Sequence, residues 1–151
     1  MPAQSPKGKS TPIKLMSTGG IGVNPIHCLV CNLEVVPGRL GLDELEAHAV
    51  ASWLQTYGAI DALELASGPY EQWARLQLLD PASPPNIEGR EVAAMLNEKE
   101  RCYFWFWQPD ADEDFEPRTT CPFCEEALVR YDAGIFPQLL CEQDSVVLVG
   151  R

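Results

Sequence analysis

The chain has 151 residues, 46% of them hydrophobic, and sets 22 Asp and Glu against 11 Lys and Arg. That length suits one domain with a real core. A net charge of −11 speaks against a phosphate backbone as partner, because non-specific nucleic-acid binding rests on Lys and Arg displacing counterions.

Residues 1–20, "MPAQSPKGKSTPIKLMSTGG", are rich in Ser, Thr, Pro, Gly and Lys and lack apolar periodicity. They predict a mobile tail ahead of a single domain over residues 21–151. The tail holds neither an apolar signal core nor a spanning segment, so a cytoplasmic protein without a membrane partner is expected. Lys7, Lys9 and Lys14 stand in a stretch without acids, which leaves −14 on residues 15–151. A basic protein or peptide is the electrostatically easier partner, although acidity is also common in soluble proteins with no charged partner.

"IHCLVCNLEVV", 26–36, reads as a strand, a tight cysteine turn and a returning strand, broken by "PGRLG". A helix is predicted from Asp43 to Tyr57, with Asp43 and Glu46 as a capping box. Leu42, Leu45, Ala49, Trp53 and Tyr57 fall on one side of it, and Gly58 marks its end. "AIDALELASG" is a short apolar stretch. "EQWARLQLL" places Trp73, Leu76 and Leu79 at helical spacing, with a strand as the alternative. After the connector "DPASPPN", residues 87–97 form a helix with Val92, Met95 and Leu96 inward. "CYFWFW", 102–107, is a buried strand. "PDADEDFEP" is an acidic loop carrying Asp110, Asp112, Glu113, Asp114 and Glu116. It is either a solvated loop or the docking surface for a basic partner. "EALVRY", "FPQLLC" and "SVVLVG" then alternate as strands with turns.

Six cysteines stand at 28, 31, 102, 121, 124 and 141. Paired C-x-x-C spacing without a secretion signal argues for metal over disulfides. Zinc takes four soft or borderline ligands in a tetrahedron, and two knuckles some fifteen residues apart on hairpins supply them as a zinc ribbon. "CPFC" and "LLCEQD" have that spacing, with Asp144 where a fourth cysteine would stand. One expected ligand set is therefore Cys121, Cys124, Cys141 and Asp144. The competing set clamps the two ends of the domain through Cys28, Cys31, Cys121 and Cys124, since loop closure costs little extra with length. A site without metal is the third outcome.

A redox reading of "CLVC" lacks the helix N-terminus that depresses a thiolate pKa, because the strand-like "NLEVVPG" follows it. Cys102 reads as a small buried apolar residue, His48 as exposed, and His27 as a lesser ligand candidate. "YFWFW" suits a core better than a base-stacking platform, as only Arg101 adjoins it. Glu125 and Glu126 have no second group to work with, and no nucleophile elbow, phosphate loop or H-E-x-x-H appears, so the chain is expected not to be an enzyme.

"HCLVCN", "SWLQTYGAIDALEL", "GPYEQWARLQLLDPASPPNIEGREVAAML", "YFWFW" and the terminal "CPFC" with Cys141 follow one another over roughly residues 26–150. In that order they resemble a family of uncharacterised bacterial Zn-ribbon-containing proteins, sometimes labelled as nucleic-acid-binding. The resemblance implies a C-terminal C-x-x-C…C-x-x-C ribbon with an upstream C-x-x-C. The chain matches it at Cys28, Cys31, Cys121, Cys124 and Cys141, and departs from it at Asp144. The ribbon implies no function by itself, because ribbons also act as staples and docking modules.

The expectation is an α+β domain: two or three helices on short antiparallel strands, closed by a zinc-ribbon hairpin at 117–151. Zinc would be structural. The expected function is a non-enzymatic acidic adaptor or inhibitor, such as an immunity-type protein binding a basic protein, with a nucleic-acid-binding ribbon protein as the alternative.

Overall fold

A computed structural model of the chain describes residues 11–18, 23–109 and 115–150. The elements in order are β1 (Ile13–Leu15), β2 (Ile26–Cys28), α1 (Glu44–Ala66), α2 (Glu71–Leu79), α3 (Pro84–Asn97), β3 (Cys102–Trp105), β4 (Val129–Tyr131), β5 (Gln138–Cys141) and β6 (Val146–Val149). The fold is α+β, with three helices on a six-stranded sheet of order β2-β1-β3-β6-β5-β4.

The sheet is mixed, where short antiparallel strands were expected. β1 pairs with β3 in parallel, and β3 with β6 likewise, while β1–β2, β5–β6 and β4–β5 are antiparallel. The reason is topological. The chain leaves β2, crosses through α1, α2 and α3, and returns alongside β1 in the same direction, as a helical crossover allows.

β1 lies inside the stretch read as a tail, and Ile13, Lys14 and Leu15 are all fully buried. Three residues are too few to show a strand period, and their burial comes from the neighbours β2 and β3. Residues 1–10, 19 and 20 of that stretch lie outside the described residues.

The capping box forms: Glu46 N donates to Asp43 Oδ1 at 2.8 Å, and Asp43 N to Glu46 Oε1 at 3.0 Å. Helix α1 then runs past Gly58 to Ala66. A capping glycine needs a positive φ, which Gly41 and Gly68 have among the described residues and Gly58 does not. Burial of Ile60 and the hydrogen bond from Ser17 Oγ to Asp61 Oδ2 (3.0 Å) outweigh the modest helix penalty of glycine. The inward face is Val50, Trp53, Leu54, Tyr57 and Ile60, whereas Leu45 is 82% exposed. In α2 the buried residues are Ala74 and Leu78; of the predicted face Leu79 packs at the edge of the core, and Trp73 and Leu76 are exposed. In α3, Val92 and Leu96 are buried as expected, and Met95 packs at the edge of the core.

The main core lies between helices and sheet. Phe104 of β3 meets Trp53 and Tyr57 edge-on, at ring separations of 6.1 and 6.4 Å. Gly89 lets α3 approach this aromatic cluster, because a Cβ there would stand 2.3 Å from Phe104 Cε1. Trp53 Nε1 donates to Pro85 O at 3.1 Å, which joins α1 to the first turn of α3. Strand alternation sends Tyr103, Leu140 and Val147 to a smaller cluster with Leu29. No helix among the described residues is long and apolar enough to cross a membrane.

Candidate metal centre

Two turns at one end of the sheet build the site. In the first, Cys121 N donates to Glu126 O (2.8 Å), Glu125 N donates to Cys121 O (3.0 Å), and the Thr120–Ala127 bridge closes the loop. Glu125 takes the left-handed conformation, φ 64°. The second turn joins β5 to β6, with Cys141 opposite Val146 and Ser145 at φ 55°. In each turn a backbone N–H points at sulfur: Phe123 N to Cys121 Sγ and Asp144 N to Cys141 Sγ, both 3.4 Å. Such donors favour a thiolate over a thiol.

The turns bring Cys121, Cys124, Cys141 and Asp144 together, with all four ligand atoms within 4.8 Å of one another. Cys124 Sγ and Cys141 Sγ are 3.7 Å apart, and Asp144 Oδ2 lies 3.4 Å from Cys121 Sγ and 3.9 Å from Cys141 Sγ. Ligands about 2.0–2.3 Å from a central ion stand roughly 3.3–3.8 Å apart along the edges of a tetrahedron. The cluster therefore fits a four-coordinate ion. Cys121 and Cys141 are buried, while Cys124 and Asp144 are half-buried.

Asp144 reaches both ways. Its other oxygen, Oδ1, accepts a hydrogen bond from Arg90 Nη2 of α3 at 3.0 Å. The Arg90 guanidinium in turn stacks 4.1 Å above the Phe123 ring, and Phe123 meets Phe106 edge-on. Hydrogen bonds from the Cys124 and Cys121 thiols, with the Arg90 charge behind them, hold the Asp144 carboxyl below the usual carboxylate range. The carboxylate acts oppositely on the sulfurs. Hydrogen bonding to Asp144 pushes the Cys124 thiol up to about 12, and burial raises that of Cys121. Without a metal, an ionised Asp144 faces the protonated thiols of Cys121 and Cys124.

The other candidate residues stand apart. Cys28 and Cys31 are outside the four-residue cluster, so the clamp between the two complete knuckles does not form among the described residues. The physical reason is the strand order. Cys28 ends β2 at one edge of the sheet, with β1, β3 and β6 between it and Cys141 on β5. His27 has both ring nitrogens against carbonyls, Asn32 O at 3.1 Å and Asn24 O at 3.0 Å. Cys102 is a core residue whose thiol burial pushes up to about 12. Glu116 is exposed, and Asp110, Asp112, Glu113 and Asp114 lie outside the described residues.

Sequence reasoning missed Arg90. It stands 54 residues from Asp144, and a lone arginine on a helix carries no spacing signal.

No family model, curated protein or solved structure matches the chain.

Proposed function

We propose that the chain is a non-enzymatic, zinc-stabilised interaction module, an acidic adaptor or inhibitor for a basic protein. The observation that carries this reading is the closure of the candidate site. Three sulfurs and one carboxylate oxygen fill four positions, and the second carboxylate oxygen is held by Arg90. Catalytic zinc keeps a position for water or substrate, whereas structural zinc does not. Three thiolates suit zinc among the common divalent ions, and the pairing of two cysteine turns supports the ribbon reading. A divalent ion among three thiolates and one carboxylate leaves two negative charges, of which Arg90 offsets one. Such a site contributes on the order of 10–16 kcal/mol of apparent binding energy to folding, more than a domain's usual net stability.

The partner's sign follows from the net charge of −11. The arginines near the site are already engaged: Arg90 with Asp144, Arg101 with Glu142, Arg130 with Asp132, and Arg118 over Phe106. This weakens the nucleic-acid alternative.

Two measurements test the reading. Protein purified without added zinc should carry one zinc per chain, and Cys121→Ser should lose it. Fluorescence anisotropy at physiological salt should then detect a Lys/Arg-rich peptide and not duplex DNA or single-stranded RNA. Nucleic-acid binding with a steep salt dependence, and none of the peptide, would replace this reading with the alternative.

A further inference from the structure

Helix α2 commits only a narrow face to the core. Ala74 and Leu78, one turn apart, are fully buried, whereas Trp73 is 51% and Leu76 53% exposed. The 3-10 turn Gly68–Tyr70 leads straight into α2, and Tyr70, 61% exposed, keeps right-handed helical dihedrals (φ −98°, ψ −8°). Tyr70, Trp73 and Leu76 thus stand three apart on one helical path, and residues at that spacing are neighbours on a helix surface. They form an exposed apolar stripe.

Local contacts fix where the stripe points. Gly68 takes φ 65° where the chain turns out of α1, and its N–H donates to Glu71 Oε1 at 3.0 Å. Arg75, roughly 200° around the helix from Trp73, reaches Glu64 of α1 at 3.9 Å.

The segment that carries the stripe has an excess of one charge. From Asp61 to Gly89 it holds Asp61, Glu64, Glu71, Asp80 and Glu88 against Arg75, which is engaged with Glu64. Asp80 is exposed and lies one turn beyond Leu76, whose carbonyl accepts its N–H. An aromatic and aliphatic stripe ending at a carboxylate complements an apolar face flanked by Lys or Arg. A second copy of the chain would bring another −11 to the same acids, and bases stacked on Trp73 would bring phosphates there. The charge opposes both.

We propose that Tyr70, Trp73 and Leu76 are the docking surface for a basic amphipathic helix, with apolar residues on one face and Lys or Arg beside it. The inference rests on the basic-partner reading above and assigns that partner a place and a shape. Trp73 is the anchor, because Trp and Tyr carry a large share of the energy at interface centres. The partner's apolar face covers the stripe, and its cations face Asp80.

The test uses the zinc-loaded full chain and a labelled leucine–lysine peptide with leucines at i, i+3, i+4 and i+7, read by fluorescence anisotropy at physiological salt. The wild type should bind it, and should bind the same residues in scrambled order about tenfold more weakly. Trp73→Ser and Leu76→Asp should each weaken binding about tenfold, with zinc content unchanged. Leu76→Asp also adds a negative charge, so attraction by charge alone would tighten binding instead. Hydrogen exchange of the wild type needs no variant, and bound peptide should slow it at residues 70–76. Wild-type affinity in the folded variants, or slowed exchange confined to other residues, would overturn the docking surface and leave the basic-partner reading standing. Self-association of the wild type that Leu76→Asp abolishes would give the stripe to a second copy and also overturn it. Failure of the wild type to bind either peptide would overturn both readings.

Discussion

Arg90 Nη2 lies 3.0 Å from Asp144 Oδ1, while the other oxygen of the same carboxylate faces Cys121 Sγ at 3.4 Å. One side chain thus joins helix α3 to the candidate metal centre. Groups that orient a ligating carboxylate typically contribute 10–100-fold to metal affinity. Arg90→Ala should weaken zinc binding by about that factor in competition with a chromophoric chelator. Arg90→Lys should fall between, because it keeps the charge and loses the planar fork. Wild-type affinity in Arg90→Ala would show that Asp144 is held by other means.

Asp144 tests the ligand set itself. Asp144→Ala should lose the metal at chelator concentrations the wild type survives, whereas Asp144→Cys should keep it. With cobalt in place of zinc, Asp144→Cys should gain sulfur charge-transfer intensity by about a third, as three thiolates become four. Equal intensity in the two proteins would remove Asp144 from the first coordination sphere.

Metal binding should be strongly pH-dependent. The Cys124 thiol is raised to about 12 and that of Cys121 is raised as well, so at neutral pH both hold protons in the metal-free protein. A metal ligates thiolates, so binding releases these protons and the apparent affinity rises with pH. Asp144 is held below the usual range and is already ionised, so it adds no proton. Calorimetry at pH 7 in buffers of different ionisation enthalpy should report at least two protons released, those of Cys121 and Cys124. No dependence on the buffer would contradict it.

Gly89 has no room for a methyl group, with Phe104 Cε1 and Trp53 Nε1 at 2.3 and 2.9 Å from an added Cβ. Gly89→Ala should destabilise the domain by about 1–3 kcal/mol in urea unfolding, despite the better helix propensity of alanine. A neutral or stabilising effect would mean that the aromatic cluster has space to shift.

Asn86 is fully buried, and its Nδ2 donates to Leu78 O at 3.0 Å and to Asp80 O at 2.8 Å, at the end of α2. Asn86→Ala removes the Nδ2 donor from Leu78 O, while Asp80 O keeps the Ser83 N–H at 3.1 Å, and should cost about 1–3 kcal/mol. Thermal unfolding that matches the wild type would show that water replaces the amide.

The local features were legible. The capping box at Asp43 and Glu46 formed because its partners are three residues apart. Cys121, Cys124, Cys141 and Asp144 converge because two short turns on adjacent hairpins need no distant information. "CYFW" became a buried strand because aromatic residues favour that environment. The misreadings share one cause. Gly58 looked like a helix end, Lys14 like part of a tail and Trp73 like a core residue, and in each case packing with distant segments outweighed the local preference.

The sequence by itself determined which residues could cap a helix, turn on two sulfurs or fill a core, since those properties depend on side chains within a few positions. Only the tertiary structure decided which turns face each other. It set β1, β3 and β6 between Cys28 and the other knuckle, and gave Asp144 to Arg90. Two C-x-x-C turns with the same backbone thereby acquired different surroundings: one meets Cys141 and Asp144, and the other stands apart from that cluster. Charge, burial and neighbours across the sheet assign their chemistry, and no spacing along the chain encodes these.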